Sequence, residues 1–233
     1  MRALPEHELE QDVAVLYVDP GGPYPSLVAN WYDEARDGRS YDGPLPVVAH
    51  PPCGPWGAFA HLCKSPAQDP ALALRALEQV RRWGGVLEHP RGSRLYKHAG
   101  LPLPGELPDA HGGRSVEVDQ LHWGHVAHKR TWLYLVGAGE LPPAPYPYRK
   151  PTHDLMGGRG RNATAYRGGR LEASKELRRR TPIAFAEWLV GLARNSRRPD
   201  SRSAPASSRL PPRAGSRCTT SCGRPGTRAS ASR

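Results

Sequence analysis

The chain alternates short apolar segments with longer amphipathic ones, and this alternation restricts its fold more than any other feature. The strand-like segments are 13–18, 45–50, 86–87, 116–120 and 131–136. The helix-like segments are 26–36, 69–83 and 181–194. Strands that alternate with helices are typical of a mostly parallel sheet with helices on both faces. The sequence therefore predicts an α/β protein with a Rossmann-like, methyltransferase-like sheet of reduced size.

The clearest helix is predicted at 69–83, where apolar residues recur at helical spacing. Asp69 can cap its first turn and Pro70 suits the first helical position. Gly84 and Gly85 follow it and predict its end. At the other end of the chain, Thr181 predicts the cap of the helix at 181–194.

The net charge of +11 is concentrated at one end of the chain. Residues 196–233 contain nine arginines and one acid, which gives that segment a charge of +8. Because it is rich in Ser, Arg, Pro, Ala and Gly, it is predicted to be a disordered tail. It is either a non-specific DNA-binding arm or the product of read-through in a GC-rich gene. Residues 1–195 are predicted to form the compact domain.

Several classes of protein are disfavoured by composition. No run of about 18 apolar residues predicts a membrane span, and residues 1–11 lack the order of a signal peptide. The four cysteines match no common zinc pattern or disulfide framework. The irregular spacing of His50, Cys53, His61 and Cys63 predicts no metal site. The expected location is the reducing cytoplasm.

Candidate chemistry lies on loops that follow predicted strands. Cys53 follows two prolines and precedes Gly-Pro-Trp-Gly, a stiff loop that would present its thiol. Glu88 ends the next predicted strand. In parallel sheets, ligands bind at the carboxyl ends of strands. A thiolate could attack C6 of a pyrimidine there while a carboxylic acid donates to the ring nitrogen.

These segments resemble DNA cytosine-5 methyltransferases, in particular compact phage-encoded relatives. Pro-Pro-Cys at 51–53 is similar to the family's Pro-Cys motif, and Leu-Glu-His-Pro at 87–90 is similar to its Glu-Asn-Val motif. The segments 120–137 and 181–193 also resemble phage versions. The resemblance implies that Cys53 is the nucleophile, that Glu88 engages the cytosine, and that Lys129 and Arg130 orient the site or bind DNA phosphate. A flipped base could stack on Trp56.

The resemblance implies S-adenosylmethionine as the cofactor and DNA as the partner. The family's glycine-rich Phe-x-Gly-x-Gly turn is absent, and Asp19, Gly21 and Gly22 stand in its place as candidate cofactor contacts. About 30 residues separate that turn from Cys53, fewer than two strand–helix units require. Asn of the second motif is replaced by His89.

Two functions therefore stay open. The first is a DNA-modifying enzyme of a bacterial host cell that transfers a one-carbon group after covalent attack by Cys53. The second is a non-catalytic phage protein on a degenerate methyltransferase scaffold, which binds DNA or a host defence protein. Retention of Cys53 and Glu88 favours the first function, whereas loss of the glycine-rich turn favours the second.

Overall fold

The computed structural model describes residues 12–57, 60–62, 69–155 and 170–196. The predicted tail lies outside these residues apart from Ser196, and so do residues 1–11. In the described parts of the chain, no helix has both the length and the apolar character that crossing a membrane requires.

The described chain is an α/β protein built around a six-stranded, mostly parallel mixed sheet. Its strands are β1 (Ala14–Leu16), β2 (Asn30–Tyr32), β3 (Val47–Ala49), β4 (Gly85–Pro90), β5 (Arg114–Asp119) and β6 (Arg130–Val136). The order across the sheet is β2-β1-β3-β4-β6-β5. The first four strands are parallel, and β6 is antiparallel to both of its neighbours. A separate two-stranded parallel pair consists of β7 (His153–Asp154) and β8 (Leu171–Glu172).

Helices pack on both faces of the sheet. They are α1 (Ala71–Trp83), α2 (Arg94–Ala99), α3 (Lys175–Arg179) and α4 (Ile183–Arg194). Successive strand residues point to opposite faces. Leu87 and Tyr134 accordingly belong to the core under α1, whereas Val86 and Leu133 belong to the core under α4. The α/β class with a mostly parallel sheet is therefore confirmed.

Helix α1 begins at Ala71, two residues later than predicted, and ends where the glycines predicted. Asp69 still serves its first turn, because its carboxylate accepts a hydrogen bond from the Ala71 amide at 2.8 Å. The buried face consists of Ala73, Ala76, Leu77, Gln79, Val80 and Trp83. Each large apolar side chain buried in this way contributes on the order of 2 kcal/mol.

A close approach of β3 and β4 depends on Gly85. Its φ is +115°, and a Cβ at this position would lie 2.0 Å from the carbonyl oxygen of Val47. No other residue type fits that space or readily adopts that backbone conformation. Gly85 therefore sets the start of the pairing that places the ends of β3 and β4 side by side.

The helix predicted at 26–36 is wrong. The chain instead forms a short 3₁₀ turn (Tyr24–Ser26) and then β2, which pairs with β1. Trp31 and Tyr32 favour a strand, and the Tyr32 carbonyl accepts a hydrogen bond from the Val18 amide at 3.1 Å. Pairing along the open edge of β1 thus overrides the local helical pattern.

Helix α4 also begins later than predicted, at Ile183. Pro182 precedes it in an extended conformation, with ψ at 141°, and no side chain caps the helix. The predicted cap at Thr181 is therefore wrong.

Candidate functional site

The candidate site lies at the carboxyl ends of the parallel strands. His50 directly follows β3, and Glu88 lies in β4. The register pairs Ala49 with Leu87, so the next residue on each strand is also a neighbour. Both side chains point to the face covered by α4. This register brings His50 into contact with Glu88.

Glu88 is held by two polar side chains. Nδ1 of His50 lies 3.2 Å from its Oε2, and Nε2 of Gln120 donates to its Oε1 at 3.3 Å. The same amide nitrogen of Gln120 also donates to the hydroxyl of Thr131 at 3.0 Å. The side chain of Glu88 is 14% exposed. Its carboxylate is therefore fixed in position and retains limited access to solvent.

Glu88 is ionised at neutral pH. Burial acts against the charged form, but the hydrogen bond from His50 and the positive charges of His50 and Lys129 outweigh it and lower the pKa of Glu88 to about 2. A carboxylate in this state accepts hydrogen bonds, and the exocyclic amino group of cytosine is a suitable donor. Before Glu88 can act as an acid, it must receive a proton from another group.

Cys53 lies in the loop that follows β3, directly before a short 3₁₀ turn. Its carbonyl oxygen accepts a hydrogen bond from the Trp56 amide at 3.1 Å, which closes a 3₁₀ turn (Gly54–Trp56). Cys53 is an exposed residue with a free thiol. Even so, desolvation by the surrounding protein and the charge of Glu88 raise the pKa of its thiol, and the charges of Lys129 and Arg179 oppose that rise.

Lys129 completes the electrostatic environment of the site. Its ammonium group donates to the carbonyl oxygens of Arg180 at 3.2 Å and Arg179 at 3.5 Å, at the end of α3. Burial lowers the pKa of Lys129, whereas the negative charges of Glu88 and Cys53 raise it. The structure thus brings Cys53, Glu88 and Lys129 within electrostatic range of one another.

Arg130 lies elsewhere. Its guanidinium group is 3.8 Å from the carboxylate of Glu117, on the other side of the sheet from Thr131. The surrounding depression has a volume of about 550 Å³ and includes Asp119 and His128. It contains neither Cys53 nor Glu88. A role for Arg130 in binding DNA stays a prediction.

Trp56 is mostly buried. It is 8% exposed and packs in the core under α1, with its ring centre 5.1 Å from that of His98. A flipped base could stack on the face of Trp56 only if this packing opened. The predicted stacking role therefore requires a movement of the loop.

Asp19, Gly21 and Gly22 form a turn that is closed on itself. The Gly21 amide donates to the Asp19 carboxylate at 2.9 Å, and the Gly22 amide donates to the Asp19 carbonyl at 2.8 Å. A Cβ on Gly22 would lie 3.0 Å from that carbonyl oxygen. The groups that a cofactor would use are engaged within the turn, so these residues do not fit S-adenosylmethionine as they stand.

Three residues of the site were not predicted as functional: Tyr24, His50 and Gln120. The hydroxyl of Tyr24 lies 2.5 Å from Nε2 of His50. The sequence signal for His50 was its position, since it ends one apolar strand just as Glu88 nearly ends the next. Tyr24 and Gln120 reach the site only through tertiary packing.

A basic surface adjoins the site. It contains Arg179 and Arg180 at the end of α3 and Arg149 from the segment between β6 and β7, all of them exposed. Arg149 and Arg180 line a depression of about 270 Å³ that includes Tyr146. The charge of Arg179 acts on Cys53 and lowers the pKa of its thiol, against the larger effect of burial.

Comparisons with protein-family models, curated proteins and solved structures found no match for this chain.

Proposed function

We propose that the protein is a DNA-modifying enzyme similar to cytosine-5 methyltransferases, in which Cys53 adds to C6 of a pyrimidine. The observation that carries this proposal is the placement of Cys53 and Glu88 at the same end of two adjacent parallel strands, with Lys129 between α3 and the site. A thiol, a carboxylate and an ammonium group in electrostatic contact suit nucleophilic addition to an electron-poor ring.

We also propose that the sheet is a reduced Rossmann-like sheet. The chain passes from β1 to β2 on one side and then crosses to β3 on the other side of β1. In open α/β sheets, ligands bind beyond the carboxyl ends of the strands where the order reverses in this way. Tyr24 and His50, which follow β1 and β3, meet at that position.

The charges of the site indicate how addition would be controlled. The negative charge of Glu88 raises the pKa of Cys53. When Glu88 is neutralised by a proton or engaged by an amino group of the base, this effect weakens and the thiolate becomes easier to form. Binding of the base and activation of the nucleophile are therefore coupled through Glu88.

DNA suits the surroundings of the site. Arg179, whose charge acts on Cys53, is exposed, and so are Arg149 and Arg180, which line one depression; all three could contact phosphates. Because Cys53 must reach C6 of its target, the base has to leave the duplex stack. The transferred group would come from a one-carbon donor that supplies an electrophilic carbon.

The test is nucleoside mass spectrometry of DNA from cells that express the protein. A modified pyrimidine is expected with the wild-type chain and with the control Cys218→Ala, but not with Cys53→Ala. The added mass would identify the transferred group. Unmodified DNA from cells with abundant, folded wild-type protein would refute the proposal.

A second candidate function is DNA binding without catalysis. It is favoured by the closed turn at Asp19 and by the raised pKa of Cys53, which keeps the thiol protonated in the free protein. In that case Cys53→Ser would bind duplex DNA as tightly as the wild type and would retain the biological effect. For the enzyme, the same variant would lose modification while still binding DNA.

A further inference from the structure

Tyr24, His50 and Glu88 form a continuous hydrogen-bonded chain through both nitrogens of one imidazole. The Tyr24 hydroxyl contacts Nε2 of His50 at 2.5 Å, and Nδ1 contacts Glu88 at 3.2 Å. Tyr24 is 3% exposed, and the side chain of His50 is 12% exposed. Each residue comes from a different part of the chain, so the fold itself assembles this arrangement.

We propose that His50 supplies Glu88 with the proton that the ring nitrogen of the pyrimidine takes up, and that Tyr24 holds His50 in both of its protonation states. This inference rests on the proposed function. It assigns His50 and Tyr24 as positioning residues that act through Glu88.

The hydroxyl of Tyr24 makes this possible because it can both donate and accept. When His50 is neutral, its Nδ1–H donates to Glu88 and its Nε2 accepts from the hydroxyl. When His50 is an imidazolium, its Nε2–H donates to the hydroxyl oxygen instead. In these two resting forms both ring nitrogens have a partner. Only the Nε2–H tautomer, which forms when Nδ1 gives its proton to Glu88, leaves Nδ1 without a partner, and in that form the Tyr24 hydroxyl still accepts from Nε2–H.

His89, next to Glu88 in β4, provides a contrast to His50. It is fully buried, and in the described residues neither of its ring nitrogens has a hydrogen-bond partner. Burial lowers the pKa of His89 to about 4, so this ring stays neutral. Of the two adjacent histidines, only His50 has the partners that a proton carrier needs.

The hydrogen bonds from Tyr24 through His50 to Glu88 determine the proton balance of the addition step. The Sγ–C6 bond forms, the electron pair of the C5–C6 double bond moves into the ring, and the ring nitrogen takes a proton from Glu88. Glu88 receives that proton from Nδ1 of His50, which becomes neutral. Glu88 then faces a bare Nδ1, and this favours return of the proton when Cys53 leaves.

Three other titratable groups act on the hydrogen-bonded residues Tyr24, His50 and Glu88. They are Cys53, His89 and Lys129. Lys129 favours the anion of Glu88, so it opposes early transfer from His50. The substrate must therefore draw the proton through Glu88 as negative charge develops on the ring nitrogen.

The experiment measures hydrogen exchange at C5 of cytosine in duplex DNA, since covalent addition at C6 labilises that hydrogen without any donor. Full-length wild type, His50→Gln, Tyr24→Phe and the control His111→Gln are assayed in deuterated buffer across a pH series. The titration of the His50 ring is followed in parallel by ¹⁵N NMR of the wild type and Tyr24→Phe.

We expect the wild-type exchange rate to rise with pH as Cys53 ionises, and to level off above the midpoint of the His50 titration, where the proton donor is lost. His50→Gln should be at least tenfold slower at low pH and should continue to rise with pH without this levelling. Tyr24→Phe should shift the pH at which the rate levels off together with the NMR midpoint. His111→Gln should match the wild type. If His50→Gln exchanges hydrogen at the wild-type rate, the proton transfer through His50 is refuted, but the proposed function is not. No exchange by folded wild type at any pH refutes the proposed function and the catalytic role of the chain with it.

Discussion

Nδ1 of His50 lies 3.2 Å from Oε2 of Glu88, although 38 residues separate them in the sequence. Their contact follows from the parallel register of β3 and β4, in which Ala49 pairs with Leu87. It orients the carboxylate beside the loop that carries Cys53. This one contact therefore joins the stability of the sheet to the electrostatics of the site.

Glu88→Gln should destabilise the protein in a pH-dependent manner. The pKa of Glu88 is about 2 in the folded state and about 4.5 without interactions. A depressed pKa stabilises the folded state above pH 4.5, and this contribution is lost as pH falls towards 2. Its size is on the order of 3 kcal/mol.

Urea unfolding at pH 7 and pH 3 tests this prediction. The difference between wild type and Glu88→Gln should fall by about half at pH 3. Glu34→Gln, a change of an exposed carboxylate, is the matched control and should show no such dependence. Equal destabilisation by Glu88→Gln at both pH values would contradict the assigned pKa.

The reactivity of Cys53 should respond in opposite directions to two neighbouring charges. Because Glu88 raises the pKa of Cys53 and Lys129 lowers it, Glu88→Gln should increase the rate of alkylation near neutral pH and Lys129→Met should decrease it. A change of one pKa unit alters the thiolate fraction, and thus the rate, by up to about tenfold.

Iodoacetamide alkylation resolved by peptide mass spectrometry measures Cys53 apart from the other cysteines. Glu117→Gln is the control, since Glu117 is not among the charges that act on Cys53. If Glu88→Gln slowed alkylation, the proposed electrostatic coupling would be wrong.

Much of this site could be predicted from the sequence, because Cys53 and Glu88 each stand at the end of a short apolar run. Buried parallel strands have this appearance, and their carboxyl ends meet at one edge. Gln120 and Tyr24 could not be predicted, since their roles depend on how a later turn and an early loop pack against Glu88 and His50.

Lys129 and Arg130 illustrate a second limit. Both were predicted for the site, but adjacent residues at the start of a strand point to opposite faces. Lys129 contacts the end of α3, whereas Arg130 lies near Glu117. The sequence shows two adjacent cations at the start of β6. Only the strand geometry distinguishes Lys129, whose charge acts on Cys53, from Arg130.

Binding to duplex DNA should depend on Arg149 and Arg179. Each removed phosphate contact lowers the slope of log K against log salt by about 1. We therefore expect Arg149→Ala and Arg179→Ala each to weaken binding regardless of sequence, most strongly at low salt.

Arg82→Ala, at an exposed residue paired with Asp42, should not change the slope. Fluorescence anisotropy across a salt series measures these slopes. Unchanged slopes in both site variants would place the DNA elsewhere.

Gly85→Ala should prevent the site from forming. The new methyl group would lie 2.0 Å from the carbonyl oxygen of Val47, in a backbone with φ at +115°. Strain of this kind costs about 1–3 kcal/mol from the backbone alone, and the clash adds to it because β3 and β4 must separate.

Gly92→Ala is the matched control: φ is +76° there, but no atom lies within 4 Å of the new methyl group. Thermal unfolding should show a modest loss for Gly92→Ala and a far larger one for Gly85→Ala. In any Gly85→Ala protein that folds, the His50 ring should lose its contact with Glu88, which NMR would detect. Equal losses in the two variants would mean that backbone conformation, and not the close approach of the strands, determines the requirement for glycine.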